Sequence, residues 1–234
     1  MFNKYLGDLY KKTAYFSRDN IIALLKLSKK GGTLLDIGCW DGITTSKWAR
    51  AVSASEAHGI ELVSQAVKKA RKRGIKVAEF DIDAEKWPYP NNHFDYIVSN
   101  LVIEHLKNVD HFISESYRIL KRGGITVVST NNLASWHNIF CLLIGWTPFD
   151  LTNTTTKRWS IGNPLAIHKQ EDLKYGSTFT HKCVYTNRWL KEWYELYGFK
   201  YVKTMGAGYY PLPPFLGKID KLHSALITLS FVKE

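Results

Sequence analysis

Four acid or amide side chains recur at comparable places along the chain: Asp36 in LLDIGCWDG, Glu61 in HGIEL, Asp81 in IKVAEFDI and Asn100 in HFDYIVSN. Each stands at or near the end of a short apolar run, and such runs predict buried strands. In an open α/β sheet, ligands settle outside the carboxyl ends of the strands. The four groups therefore point to one crevice, and the chemistry they suit is recognition of a nucleoside. Glu61 can accept both ribose hydroxyls through its two oxygens. Asp81 and the backbone amide that follows can read the amino group and a ring nitrogen of adenine. Asp36 suits a cation such as an ammonium or a sulfonium. The turn Gly38-Cys39-Trp40-Asp41-Gly42 lets backbone approach a ligand. Its G-x-x-x-G spacing departs from the G-x-G-x-x-G that cradles a pyrophosphate. An acid at one strand end is commonly a turn or cap residue; the ordered set carries the reading.

Positioning these groups requires a regular frame. The spacing predicts a helix over 17–32, capped by Ser17 and stopped by Gly31–Gly32. Strands follow at 33–38, 58–62, 75–82, 93–100 and 125–132. Helices are expected at 43–52, at 64–74 with Gly74 as the stop, and at 109–124 with a double glycine at its end. This alternation implies a parallel sheet covered on both faces. Regularity breaks over 133–180. It resumes with a helix at 187–198, capped by Asn187 and stopped by Gly198. Strands at 199–206 and 224–232 are joined by a Pro-rich connection without a predicted helix, which predicts an antiparallel end to the sheet.

LLDIGCWDG, GIEL, EFDIDAEKWPYPNNHFDYIVSN and LKRGGITVVSTNN resemble, in order, the first motif, the acidic loop after strand two, the adenine loop with strand four, and the fifth-strand entry of class I S-adenosylmethionine-dependent methyltransferases. The resemblance covers residues 20–132, and the last helix with two strands completes that family's sheet. It implies an α/β, Rossmann-like, seven-stranded, mostly parallel sheet with an antiparallel last strand and helices on both faces. It implies one methyltransferase domain over 1–234, with a basic N-terminal helical segment at 1–30 and an irregular acceptor-side lid at 133–186. By the same resemblance S-adenosyl-L-methionine is the cofactor. Asp36, Gly38 and Gly42 shape its methionine site, Glu61 holds the ribose, Asp81 and Ile82 hold adenine, and Asn100 lies near the methyl; Cys39, Trp40 and Leu62 belong to the same binding set. Trp40 stands where the family usually has glycine. A negative φ is expected there, with the indole turned away or walling one side of the cleft; an indole plugging the cleft would mark a catalytically dead relative.

Methyl transfer from a sulfonium depends mainly on positioning, and a hydroxyl acceptor also needs a base. His181, in a stretch resembling a histidine-containing segment of many relatives, ranks first; His137 and His105 are the other candidates. A packed or capping histidine is the plainer reading of His105. Cys39, Cys141 and Cys183 are scattered without a CxxC pair, so no metal site and no disulfide frame is suggested. The net charge is +11 and sits on the flanks. Residues 31–150 hold thirteen basic and thirteen acidic residues, whereas 151–234 hold twelve against six. Basic flanks suit nucleic acid, an anionic membrane face or an acidic substrate, or simply solvated lysines. Lys157, Arg158 and Lys169 could meet phosphate or carboxylate. WHNIFCLLIGWTPF is apolar nearly all round, which fits a lid, a dimer face, a shallow membrane contact or a core helix. The N-terminus lacks the apolar core of a secretory signal, and a cytoplasmic protein, with peripheral membrane contact as an option, is expected. The expected reaction is methyl transfer to a hydroxyl of a small or amphiphilic acceptor: a glycan, a lipid-linked intermediate or another metabolite. RNA methylation is the alternative, disfavoured because no asparagine-proline-proline-tyrosine-like motif follows strand four. A non-catalytic cofactor-binding protein of the same fold is the other.

Overall fold

The structure, a computed structural model, describes residues 2–83, 86–166 and 170–234. Seven strands form one sheet in the order β3-β2-β1-β4-β5-β7-β6: β1 Thr33–Ile37, β2 Glu56–Ile60, β3 Lys76–Ala78, β4 Phe94–Asn100, β5 Leu120–Asn131, β6 Phe199–Ala207 and β7 Leu226–Lys233. β1 to β5 pair in parallel, while β7 inserts between β5 and β6 antiparallel to both. The expected antiparallel end is thus present, built by the last strand. A 4-residue helical turn, α7 Leu216–Ile219, interrupts the Pro-rich connection that was read without a helix.

Successive strand residues feed opposite layers, as the two-residue strand repeat demands. Leu35, Ile97 and Val128 face a cluster completed by Phe112 and Ile113 of α4 (Val109–Ile119) and by Leu190 and Tyr194 of α6 (Asn187–Leu196). Leu34, Tyr96, Val98 and Val127 face the other layer, closed by Ile21 and Leu24 of α1 (Phe2–Leu25) and Trp48 of α2 (Ile43–Ala51). α3 (Ser64–Lys72) packs Val67 and Ala70 with Cys39, Ile75 and Val77 in a third, smaller cluster.

Several predicted boundaries move. The first helix spans Phe2–Leu25 instead of 17–32, and Ser17 lies inside it rather than capping it. Its buried stripe includes Leu9, Thr13, Ser17, Asn20 and Ile21. Polar members hide this stripe from a search for apolar periodicity, yet two of them have partners across the fold: Ser17 Oγ lies 2.9 Å from Ser129 Oγ, and Asn20 Nδ2 donates to the Gly206 carbonyl at 3.0 Å. The helix over 109–124 ends at Ile119, and Gly123–Gly124 fall within β5, which pairs with β4 across a register shift. Thr186, not Asn187, caps α6, accepting from Trp189 N–H at 3.2 Å. The second strand runs over 56–60 rather than 58–62. The third stops at Ala78, so Asp81 and Ile82 lie in the loop beyond it. The irregular block holds a helix, α5 Trp136–Leu143.

Candidate active site

β1 and β4 are neighbours from which the chain winds away in opposite directions, so a crevice opens at their carboxyl ends. The cleft there is lined by Gly38, Trp40, Glu61, Leu62, Asp81, Ile82 and Asn100 from the predicted set, joined by His105 and by Ser177–Phe179. Glu61 is fixed before any ligand arrives. Its Oε2 accepts from Trp40 N–H at 2.9 Å, and its Oε1 accepts from Leu62 and Val63 N–H at 2.8 and 2.9 Å. Those bonds tie the end of β2 to the turn after β1. Asp81 is exposed, and its Oδ1 accepts from Asp83 N–H at 2.9 Å in a local turn. Asp83 itself serves structure, accepting from Lys107 and Asn108 N–H ahead of α4.

Three members of the predicted set stand behind the cleft wall. Cys39 is buried in the α3 cluster, its Sγ 2.5 Å from where a Cβ on Gly59 would lie, and burial raises its thiol pKa. Gly42 has φ 79, and a Cβ there would meet Ile75 Cδ1 at 2.3 Å and Ala70 Cα at 3.2 Å; this glycine allows α3 to pack. Asp36 is 1 % exposed and accepts from Thr45 Oγ1 at 2.5 Å. Burial pushes its carboxyl up to about 8, the Thr45 hydroxyl opposing and Glu61 reinforcing the shift.

Trp40 corrects one expectation. Its φ is 47, the left-handed region open to glycine, instead of the negative value expected of a bulky residue. Glu61 holds its N–H, and its indole meets Tyr175 and Phe179 edge-on at ring separations of 5.9 and 6.1 Å. The side chain walls one side of the cleft and remains 42 % exposed.

Of the three histidines, His105 lines the cleft, although it was the one most easily read as a packing residue. His181 lies beside it, with ring centroids 4.8 Å apart. His105 Nδ1 is 3.2 Å from the Thr180 carbonyl and His181 Nδ1 is 2.5 Å from the Asp150 carbonyl. A carbonyl only accepts, so each Nδ1 carries a hydrogen and each neutral ring presents Nε2 as its lone pair. Burial lowers the pKa of both rings; for His181, Glu104 partly offsets it. His137 is turned elsewhere, 3.5 Å from Asp150 Oδ2 and between Phe149 and Tyr210. Burial pushes Asp150 up, but bonds from His137 and Asn138 outweigh it and hold its pKa below the usual value.

Glu104 was missed by sequence reading. It is fully buried beside His181, and its Oε2 accepts from Thr130 Oγ1 at 2.9 Å. Its Oε1 has no partner among the described residues. A bare buried oxygen costs about 1–3 kcal/mol, and burial raises this carboxyl's pKa while His181 opposes the rise. The available signal was an acid inside the apolar run LVIEHL. Lys157 and Arg158 lie outside the cleft lining, and Lys169 lies outside the described residues.

A family model for a methyltransferase domain matches residues 9–204. The ubiquinone biosynthesis O-methyltransferase of Pelagibacter ubique is 25% identical over 57% of this chain and 60% of its own length. A chloroplastic 2-methyl-6-phytyl-1,4-hydroquinone methyltransferase of Oryza sativa is 31% identical over 46% of this chain and 33% of its own. The match thus spans less than two thirds of either relative. An S-adenosylmethionine-dependent methyltransferase from Thermotoga maritima, described as a possible histamine N-methyltransferase, superposes over 100% of this chain and 98% of its own with a TM-score of 0.60 at 16% identity, a likeness of fold. The chain belongs to the methyltransferase-domain family, within the class I S-adenosylmethionine-dependent methyltransferases.

Proposed function

We propose that the cleft binds S-adenosylmethionine and that the chain transfers its methyl group to a hydroxyl of a small or amphiphilic acceptor. The observation that carries the reading is the preset Glu61 carboxylate, held by three backbone N–H groups on the same wall as Asp81 and Asn100. In this reading Glu61 takes the ribose, Asp81 and the Ile82 backbone take adenine, and the methionine part lies along Gly38, where a Cβ would instead clash with Val102 Cγ2 at 2.5 Å. Asp36, ionised when the cation binds beside it, supplies negative charge from behind the turn. The methyl then points toward Asn100 and the His105–His181 end, where the acceptor hydroxyl loses its proton. The sulfonium is a good leaving group, so alignment supplies much of the acceleration.

The amphiphilic acceptor is supported by the molecule's outer face. α5 leaves Phe140, Leu142 and Leu143 exposed, Leu143 at 80 %, and Ile144 just past its end is exposed as well. Its Trp136 stacks on His223 and donates to Asp220, which places it beside α7, where Ile219 is 76 % exposed. Lys218 sits over Phe16 of α1, so basic and apolar groups share this region. The combination suits an anionic lipid surface or a lipid-linked substrate. The named acceptor of the rice relative, a phytyl hydroquinone, is itself an amphiphile. No helix among the described residues is long and apolar enough to cross a membrane. The 133–186 block is the acceptor-side lid in this reading, with Ser177–Phe179 at the cleft.

The test is methyl transfer from labelled donor to hydroxylated amphiphiles in vesicles, beside their water-soluble head groups and matched amines. O-methylated amphiphile, identified by mass, is expected. Transfer to the amines alone, or to no member of the panel, would overturn the assignment.

A further inference from the structure

We propose that Glu104, His105 and His181 hold a divalent transition-metal cation of the zinc class at the acceptor end of the cleft. One ligand atom from each residue falls within 4.8 Å of the others. Glu104 and His105 come from the helical turn Ile103–His105 just past β4, whereas His181 comes from the segment leading to α6. Backbone bonds join the two pieces: Lys182 N–H donates to the Glu104 carbonyl at 2.6 Å and Cys183 N–H at 3.3 Å.

The second, independent observation is the bare Glu104 Oε1, which belongs to a fully buried side chain. Buried polar atoms nearly always have a partner, and a cation would supply one. Both imidazoles are also set as ligands. Each Nδ1 is committed to a backbone carbonyl, which leaves Nε2 to bind; such outer bonds commonly orient metal-binding histidines. Two imidazole nitrogens and one carboxylate favour zinc and its first-row neighbours over magnesium or calcium, which prefer oxygen. His105 lines the cleft, so the remaining coordination position faces the acceptor.

The role of the cation rests on the methyltransferase reading above. It binds the acceptor oxygen and lowers the hydroxyl pKa, and the proton leaves to water. That oxygen then forms the new bond to the methyl carbon. The carbon–sulfur bond breaks, and its electron pair stays on sulfur as a neutral thioether. The histidines thus act as ligands and not as the proton acceptor.

The test uses the full chain, stripped with chelator and titrated with zinc alone, with cobalt as a spectroscopic probe. One equivalent should bind, and cobalt should give visible ligand-field bands. Glu104→Gln and His181→Gln should each weaken zinc by about tenfold or more, with His105→Gln as the alternative where a buried variant fails to fold. His93→Gln, at the opposite end of β4, should leave binding unchanged and so exclude adventitious surface uptake. Absence of stoichiometric uptake by the folded chain, or wild-type affinity and bands in the folded ligand variants, would overturn the site. No donor or acceptor is present, so this result is separate from the cofactor reading, which donor calorimetry tests.

Discussion

Asp36 gives the residue scale its sharpest consequence. In the free protein its carboxyl is raised to about 8 from an ordinary 3.8. The folded chain therefore holds a proton that the unfolded chain releases, and this contribution to stability is lost as pH rises from about 4 through about 8. A cation bound beside the turn favours the ionised form. Donor affinity, measured by calorimetry, should rise toward pH 8 by up to about tenfold per unit and level off above it. Asp36→Asn should flatten that slope. Trp40 offers a second measurement. Its left-handed backbone costs about 1–2 kcal/mol, while its two edge-on ring contacts return about 0.5–1.5 kcal/mol each. The two terms largely offset, so Trp40→Gly should shift urea stability by no more than about 2 kcal/mol, while changing KM because a cleft wall is gone. Glu61, Asp81 and Asn100 were legible in the sequence because an acid or amide beside a strand end needs only local pattern to place it. The φ of Trp40 was not, since Glu61, far along the chain, holds its N–H.

At the scale of elements, α1 and the turn between β1 and α2 decide how well the sheet is clamped. Asn20→Ala removes the donor to the Gly206 carbonyl in β6. It should cost about 1–3 kcal/mol in chemical denaturation, because that carbonyl is left without its side-chain donor inside the fold. Gly42→Ala places a methyl group against Ile75 and Ala70 at a φ that disfavours side chains. Destabilisation of more than about 1 kcal/mol is expected. The central strands were legible as short, almost fully buried apolar runs and α3 by its helical period, although the ends of the second and third strands moved. α1 was only half legible because its buried stripe contains Thr13, Ser17 and Asn20, and the partners of Ser17 and Asn20 lie on β5 and β6.

For the whole molecule, charge and exposed apolar surface lie near one another around α5, α7 and α1. Co-sedimentation with anionic vesicles should fall as salt rises, because screening weakens the lysine contribution. A Phe140→Ser, Leu143→Ser double variant should bind several-fold less while melting as the wild type does, since both side chains are exposed. The Glu104–His105–His181 cluster belongs to this scale too. Glu104 and His105 are neighbours, but His181 lies far along the chain, so no ligand spacing could reveal the set, and only the fold brings the third member to the other two. The central claim is that the carboxylate-edged cleft over the sheet's switch point holds the sulfonium nucleoside. Titration calorimetry of S-adenosylmethionine into the wild type and Asp81→Ala tests it most directly. One site of micromolar strength, weakened at least several-fold in a variant that still melts normally, is the predicted result; no heat of binding, or undiminished affinity in Asp81→Ala, would contradict it.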